Sequence, residues 1–143
     1  MLERFRERFE SKPLDLTAPL TAKDAELFFT LALKVADIGH LMAEHRVHML
    51  WIERLAEEFF RQGDIEKELE LPVSFLCDRG APGVSSSQVG FFDFVVLPLY
   101  RTWTSVVPSC TTMLTCVEEC YAMWQAVEEK AKQLKIEDTI KSF

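Results

Sequence analysis

Three sets of side chains in this 143-residue sequence have types and spacings that could do chemistry. Asp37 stands among Leu33, Val35, Ala36, Ile38 and Leu41, where a carboxylate is at least partly withdrawn from water. An unpaired buried charge costs several kcal/mol, so Asp37 calls for a cation, a metal ion or a helix N-terminus. A buried salt bridge, or a solvent-facing place near the helix end, is the plainer alternative. Gln88 shares a helix face with Phe91 and Phe92, three and four residues on. An amide that both donates and accepts, set beside an aromatic ring, suits a nucleobase: the ring stacks on it and the amide reads its edge. The same spacing describes a capped helix start whose Phe residues are core.

The histidines and cysteines carry weaker signals. His40, His45 and His48 form a loose set of potential ligands, but they lack the firm helical ligand spacing of a metal site. His45 and His48 therefore read as surface or polar-rim residues, while His40, three residues after Asp37, is expected near it. Cys77, Cys110, Cys116 and Cys120 make no CxxC pair and suit reduced, half-buried thiols. Cys116 and Cys120 share a face at i, i+4, which keeps a metal or redox role open; Cys110 does not line up with them. The sequence has no GxSxG, P-loop or GxGxxG motif.

The elements that must position these residues are helical. Apolar positions recur at helical spacing almost throughout, and no alternating run with hairpin turn residues occurs, so the predicted class is all-α, a multi-helix bundle. A short amphipathic helix over 2–10 is stopped by Ser11 and Pro13. Thr21 caps a second helix over 22–38, ended by Gly39, whose core is apolar on nearly every side and belongs inside a larger packed body. A third spans about 44–62, with Trp51, Leu55 and Phe59 as its apolar stripe and Gly63 as its stop. A long irregular region over 71–85 precedes a fourth helix from Ser86 or Ser87 through Val106, bent at Pro98, and Pro108 opens a last one to about Leu134.

Composition narrows the class further. Apolar residues are 48% of the chain, with eleven Phe, and charged residues 27%, which excludes a disordered composition. A net charge of −7, with the sixteen Lys and Arg interspersed among acids, leaves no basic stripe for nucleic acid. No apolar run is long enough to span a membrane, and the charged N-terminus is unlike a signal sequence, so a cytoplasmic location is expected. One domain, or part of one, fits the length.

Read together, the strings LALKVADIGH, EEFFRQGD, FLCDR and SQVGFFDFVVLPL resemble the class I 3′,5′-cyclic nucleotide phosphodiesterases, in order and at familiar spacing over about residues 2–124. The resemblance implies an all-helical catalytic domain, of which 1–143 is the C-terminal part, that hydrolyses cAMP or cGMP to the 5′-monophosphate. It implies divalent metal cofactors, zinc with magnesium or manganese, holding a hydroxide that attacks phosphorus. By the same resemblance Asp37 is a metal ligand, Gln88 bonds the purine, Phe91 and Leu55 clamp it and Phe59 floors the pocket. His40 stands near the base, Phe94 lines the pocket, and 71–85 is a mobile pocket-side loop. The family's other metal ligands and its proton-donating His lie upstream of the first helix. The chain alone is therefore expected to be inactive, with the missing N-terminal part of the domain as its partner, no catalytic residue of its own and a cyclic nucleotide as ligand. After Asp37 the family's Ser and Pro are replaced by Gly39 and Leu41. The alternative is an inactive helical interaction or dimerisation module derived from that fold, forming homo-oligomers.

Overall fold

A computed structural model of the chain describes residues 2–11, 19–81 and 83–141. The expected stop at Pro13 and the loop position Pro82 lie outside them. Helix α1 (Leu2–Ser11) buries Phe5 and Phe9, one turn apart, with ring centroids 4.6 Å from each other. Helix α2 (Ala22–Asp37) begins as its sequence dictates, with the Thr21 hydroxyl accepting from the Asp24 amide at 3.2 Å. Arg8 pairs with Asp24 and so ties the two helices together.

A 3₁₀ turn (Gly39–Met42) leads into α3 (His45–Glu68), which runs past the stop expected at Gly63. Gly63 is instead buried inside the helix, because the chain returns against it: a Cβ there would lie 1.9 Å from the Cys77 carbonyl oxygen. A glycine that reads as a helix terminator is thus a contact surface for the following loop.

The expected fourth helix is a continuous rod in three registers. It opens with a 3₁₀ turn (Val84–Ser87) and α4 (Gln88–Phe91), widens into a π-helical stretch (Phe92–Val96), and continues as α5 (Leu97–Val106). Just before Pro98, where a bend was forecast, the helix widens, and the Leu97 amide bonds the Phe92 carbonyl five residues back. Pro98, with no amide hydrogen, leaves the ladder short of a donor at that point. After a 3₁₀ turn (Pro108–Cys110), α6 (Thr111–Lys141) continues seven residues beyond the expected Leu134.

The core is assembled around α5, whose Leu97, Leu99, Tyr100 and Trp103 are buried between α1, α2 and α6. Tyr100 donates to the Val35 carbonyl of α2 at 3.1 Å, and burial pushes its hydroxyl up to about 12. From α1, Arg6 Nε donates to Thr102 Oγ1 at 3.0 Å. Among the described residues there is no strand, and no helix is long and apolar enough to cross a membrane.

Candidate functional site

Asp37 ends α2 on the face opposite its buried stripe. Leu31 and Val35 turn into the core, whereas Asp37 lies one and two turns beyond Leu33 and Phe29, which are 71% and 60% exposed. The expectation of a carboxylate withdrawn from water is corrected in favour of the solvent-facing alternative: Asp37 is exposed, with no cover over this face among the described residues. Among the described residues no three His, Cys, Asp or Glu side chains are placed to hold a metal ion. Asp37 is therefore a single carboxylate at the end of an uncovered apolar stripe, and the described residues do not amount to a metal centre.

Gln88 is 3% exposed at the start of α4. Its Nε2 donates to the Val84 carbonyl at 3.1 Å, while its Oε1 is buried and meets no partner. Turning the amide over would set oxygen against oxygen, so the donor is fixed inward and the acceptor is left over. Phe91, one turn on, is half-buried; Phe92 is fully buried beside the Tyr121 ring, with centroids 5.5 Å apart. Phe94 is 84% exposed, because the widened turns direct Phe92 and Val96 inward and Phe94 out to solvent.

On α3 the buried stripe is His48, Ile52 and Gly63, rotated by about 50° from the expected Trp51, Leu55 and Phe59. Leu55 and Phe59 are half-buried at its margin. Trp51 is half-exposed, with the Arg54 guanidinium 5.9 Å from its ring. The segment 71–81, expected to be mobile, is laced along α3. Arg79 donates to Glu57 at 2.9 Å and to Asp64 at 2.8 Å, Lys67 pairs with Asp78, and Glu66 accepts from the Ser74 amide and hydroxyl. Hydrogen bonds from Arg79 and Arg61 pull the Glu57 carboxyl down to about 2. The lacing ends where Gly83 rests on the Phe60 ring, one residue before the carbonyl that holds Gln88.

His48 is the site residue that spacing misplaced. Far from the surface, it is fully buried between α6 and the turn after α2. Trp124 Nε1 donates to His48 Nε2 at 2.9 Å, and the two Nδ1 atoms of His48 and His40 are 3.1 Å apart. An indole N–H can only donate, so His48 Nε2 accepts and the neutral ring carries its proton on Nδ1, donating to His40. The His40 ring, nearly parallel to that of His48 (6°), then keeps its own proton on Nε2. Burial, with His40 alongside, pulls His48 down to about 4, and burial lowers His40 as well. The signal available in the sequence was the i, i+4 step from His48 to Ile52; nothing in it identified Trp124 as the partner. His45 is exposed, as expected. The four cysteines are free thiols, with Cys77 buried and the other three half-buried.

These residues stand within a chain that matches the family model of 3′5′-cyclic nucleotide phosphodiesterases over residues 1–117. The rat dual specificity calcium/calmodulin-dependent 3′,5′-cyclic nucleotide phosphodiesterase 1B is 46% identical over 92 residues, covering 64% of this chain and 17% of its own length. The human 1B protein is 51% identical over 77 residues, covering 54% and 14%. A probable 3′,5′-cyclic-AMP phosphodiesterase, pde-4, of Caenorhabditis elegans is 40% identical over 95 residues, covering 66% and 14%. The chain thus spans 14–17% of the length of these relatives. By the family match across most of its length, the chain belongs to the 3′,5′-cyclic nucleotide phosphodiesterases.

Proposed function

We propose that this chain is the base-recognising, C-terminal part of a metal-dependent phosphodiesterase domain that hydrolyses cAMP, cGMP or both to 5′-monophosphates. The observation that carries the reading is Gln88: a buried amide whose donor is already bonded to Val84 and whose acceptor has no partner. Such an orphan costs about 1–3 kcal/mol, and an N–H on a purine edge would offset it once the amide is opened to a ligand. Phe91, Leu55 and Phe59 supply apolar surface for the base, and His40 presents a fixed Nε2–H donor. Phe94 would join the pocket wall only when covered by other parts of the protein.

The apolar face of α2 supports the same reading. Phe29 and Leu33 lead to Asp37 on a surface that further chain would cover, converting the exposed carboxylate into one ligand among several. Zinc with magnesium or manganese would then be held mainly by residues outside this chain. The 143-residue chain by itself has no catalytic group and should not turn over either nucleotide.

A chimera tests the assignment: this chain replaces the matching segment of the rat relative, and hydrolysis of both nucleotides is assayed. An active chimera is expected to lose at least about 100-fold in kcat/KM on Asp37→Ala, since even outer-shell changes at metal sites cost 10- to 100-fold. A folded but inactive chimera, or full activity in Asp37→Ala, would sink the proposal.

A further inference from the structure

Helix α3 is 24 residues long, about 36 Å, and the core takes only one side of it. Another face, about 100° round the helix from Leu55 and Phe59, is exposed along most of its length: Val47, Trp51, Arg54, Glu58, Arg61 and Ile65. Val47, Trp51 and Ile65 are 41%, 51% and 55% exposed, large apolar side chains left in water on a regular helix. The reading of Gln88 and Asp37 gives this face no role.

The six positions follow one another in steps of 4, 3, 4, 3 and 4 residues, the seam spacing of a two-stranded coiled coil. The series is symmetric about Ala56, and residues equidistant from Ala56 are complementary. Laid against a second copy running the opposite way, Val47 meets Ile65, Trp51 meets Arg61 and Arg54 meets Glu58, and two-fold symmetry makes each contact twice. The three contacts are apolar on apolar, a guanidinium on an indole ring and an ion pair. Glu57 already steadies Arg61, accepting from its Nε at 2.9 Å. A parallel pairing in register would instead set Arg54 on Arg54, Glu58 on Glu58 and Arg61 on Arg61, like charge on like, with the helix dipoles aligned side by side. The face is thus complementary to itself in the antiparallel orientation and not in the parallel one.

We propose that α3 pairs antiparallel with α3 of a second copy of this chain, about a two-fold axis beside Ala56. The two Arg54–Glu58 contacts next to the axis fix orientation and register. Sliding one copy by a turn sets Glu58 against Glu58 in one direction and Arg54 against Arg54 in the other, so neighbouring registers are penalised. A shallow hollow of about 480 Å³, lined by Arg54, Glu57, Glu58 and Arg61 among others, receives the facing side chains. The Val47–Ile65 contacts close the two ends. The pairing does not depend on the proposed nucleotide pocket, and either can fail alone.

Sedimentation equilibrium of the 143-residue chain at micromolar concentrations tests the pairing. The mass is expected to rise with concentration from 16.5 kDa to twice that value. Arg54→Glu and Glu58→Arg each set like charges together twice across the axis and should raise the dissociation constant at least about tenfold. The double variant restores opposite charges in exchanged places and should return it to within a few-fold of the original. Val47→Glu, outside the ion pair, should weaken the dimer as well, while Phe29→Glu on the exposed face of α2 should leave it unchanged. A chain that stays monomeric, a dimer indifferent to the single charge reversals, or a double variant that is not rescued would overturn the pairing. So would loss of the dimer in Phe29→Glu, which would place the contact on α2. Far-UV circular dichroism confirms that each variant folds; should a charge variant not fold, Val47→Glu decides.

Discussion

At the scale of single residues, the molecule's least expected feature is a histidine whose protonation is opposed on both sides. His48 accepts from Trp124 and donates to His40, so an added proton on Nε2 would face the indole N–H. Its folded value is about 4, below the ordinary 6.5, so as pH falls the unfolded chain takes up the proton first. Stability is therefore fully present above about 6.5 and is lost as pH drops toward 4, by on the order of 3 kcal/mol at most. Urea unfolding of the chain across that window should show the decline, and His48→Gln, which retains an acceptor for Trp124, should flatten most of it. An equal slope in the variant would assign the acid sensitivity to other groups. Gln88 stood out in the sequence because amide and aromatic types recur there at helical spacing, and the structure buries it with an unpartnered acceptor. Asp37 was half legible: its place at the end of an apolar helix was read correctly, but not which side of that helix it occupies. Side depends on what packs there, and the packing partners of α2 are distant in sequence.

At the scale of elements, the helices follow the periodicity, while their ends depend on contacts that periodicity does not encode. Thr21 and Pro108 act locally, through a hydroxyl cap and a fixed dihedral, and both starts were legible. Gly63 was misread because its role comes from Cys77, fourteen residues on, whose carbonyl occupies the space a side chain would need. This yields opposed expectations for Gly63→Ala. Helix propensity alone would stabilise an interior position by about 1 kcal/mol, whereas displacing the loop costs about 1–3 kcal/mol. The urea midpoint should therefore fall, with the Cys77 thiol becoming reactive toward a thiol reagent as the loop lifts. A rising midpoint with Cys77 still protected would show that the contact is soft. The same loop carries Arg79, clasped to Glu57 and Asp64, so that exposed ion pairs and one close backbone contact together set the approach to Val84 and Gln88.

At the scale of the whole molecule, two features coexist: a well-filled core around α5, and apolar side chains on α2 that the other described residues leave exposed. A core that closes over Tyr100, Phe5 and Phe92 gives the chain a stable centre, while Phe29 and Leu33 mark a face suited to further protein. This combination agrees with a chain spanning under a fifth of its relatives' length. Under the proposed division of labour, base recognition would reside in these residues and most of the metal chemistry elsewhere. The measurement that bears most directly on it is steady-state kinetics of the rat chimera carrying Gln88→Ala. Losing one hydrogen bond to the bound base, worth about 1–2 kcal/mol, should raise KM roughly 10-fold or more while kcat stays within a few-fold. An unchanged KM, or a loss confined to kcat, would contradict the assignment of Gln88 to the base.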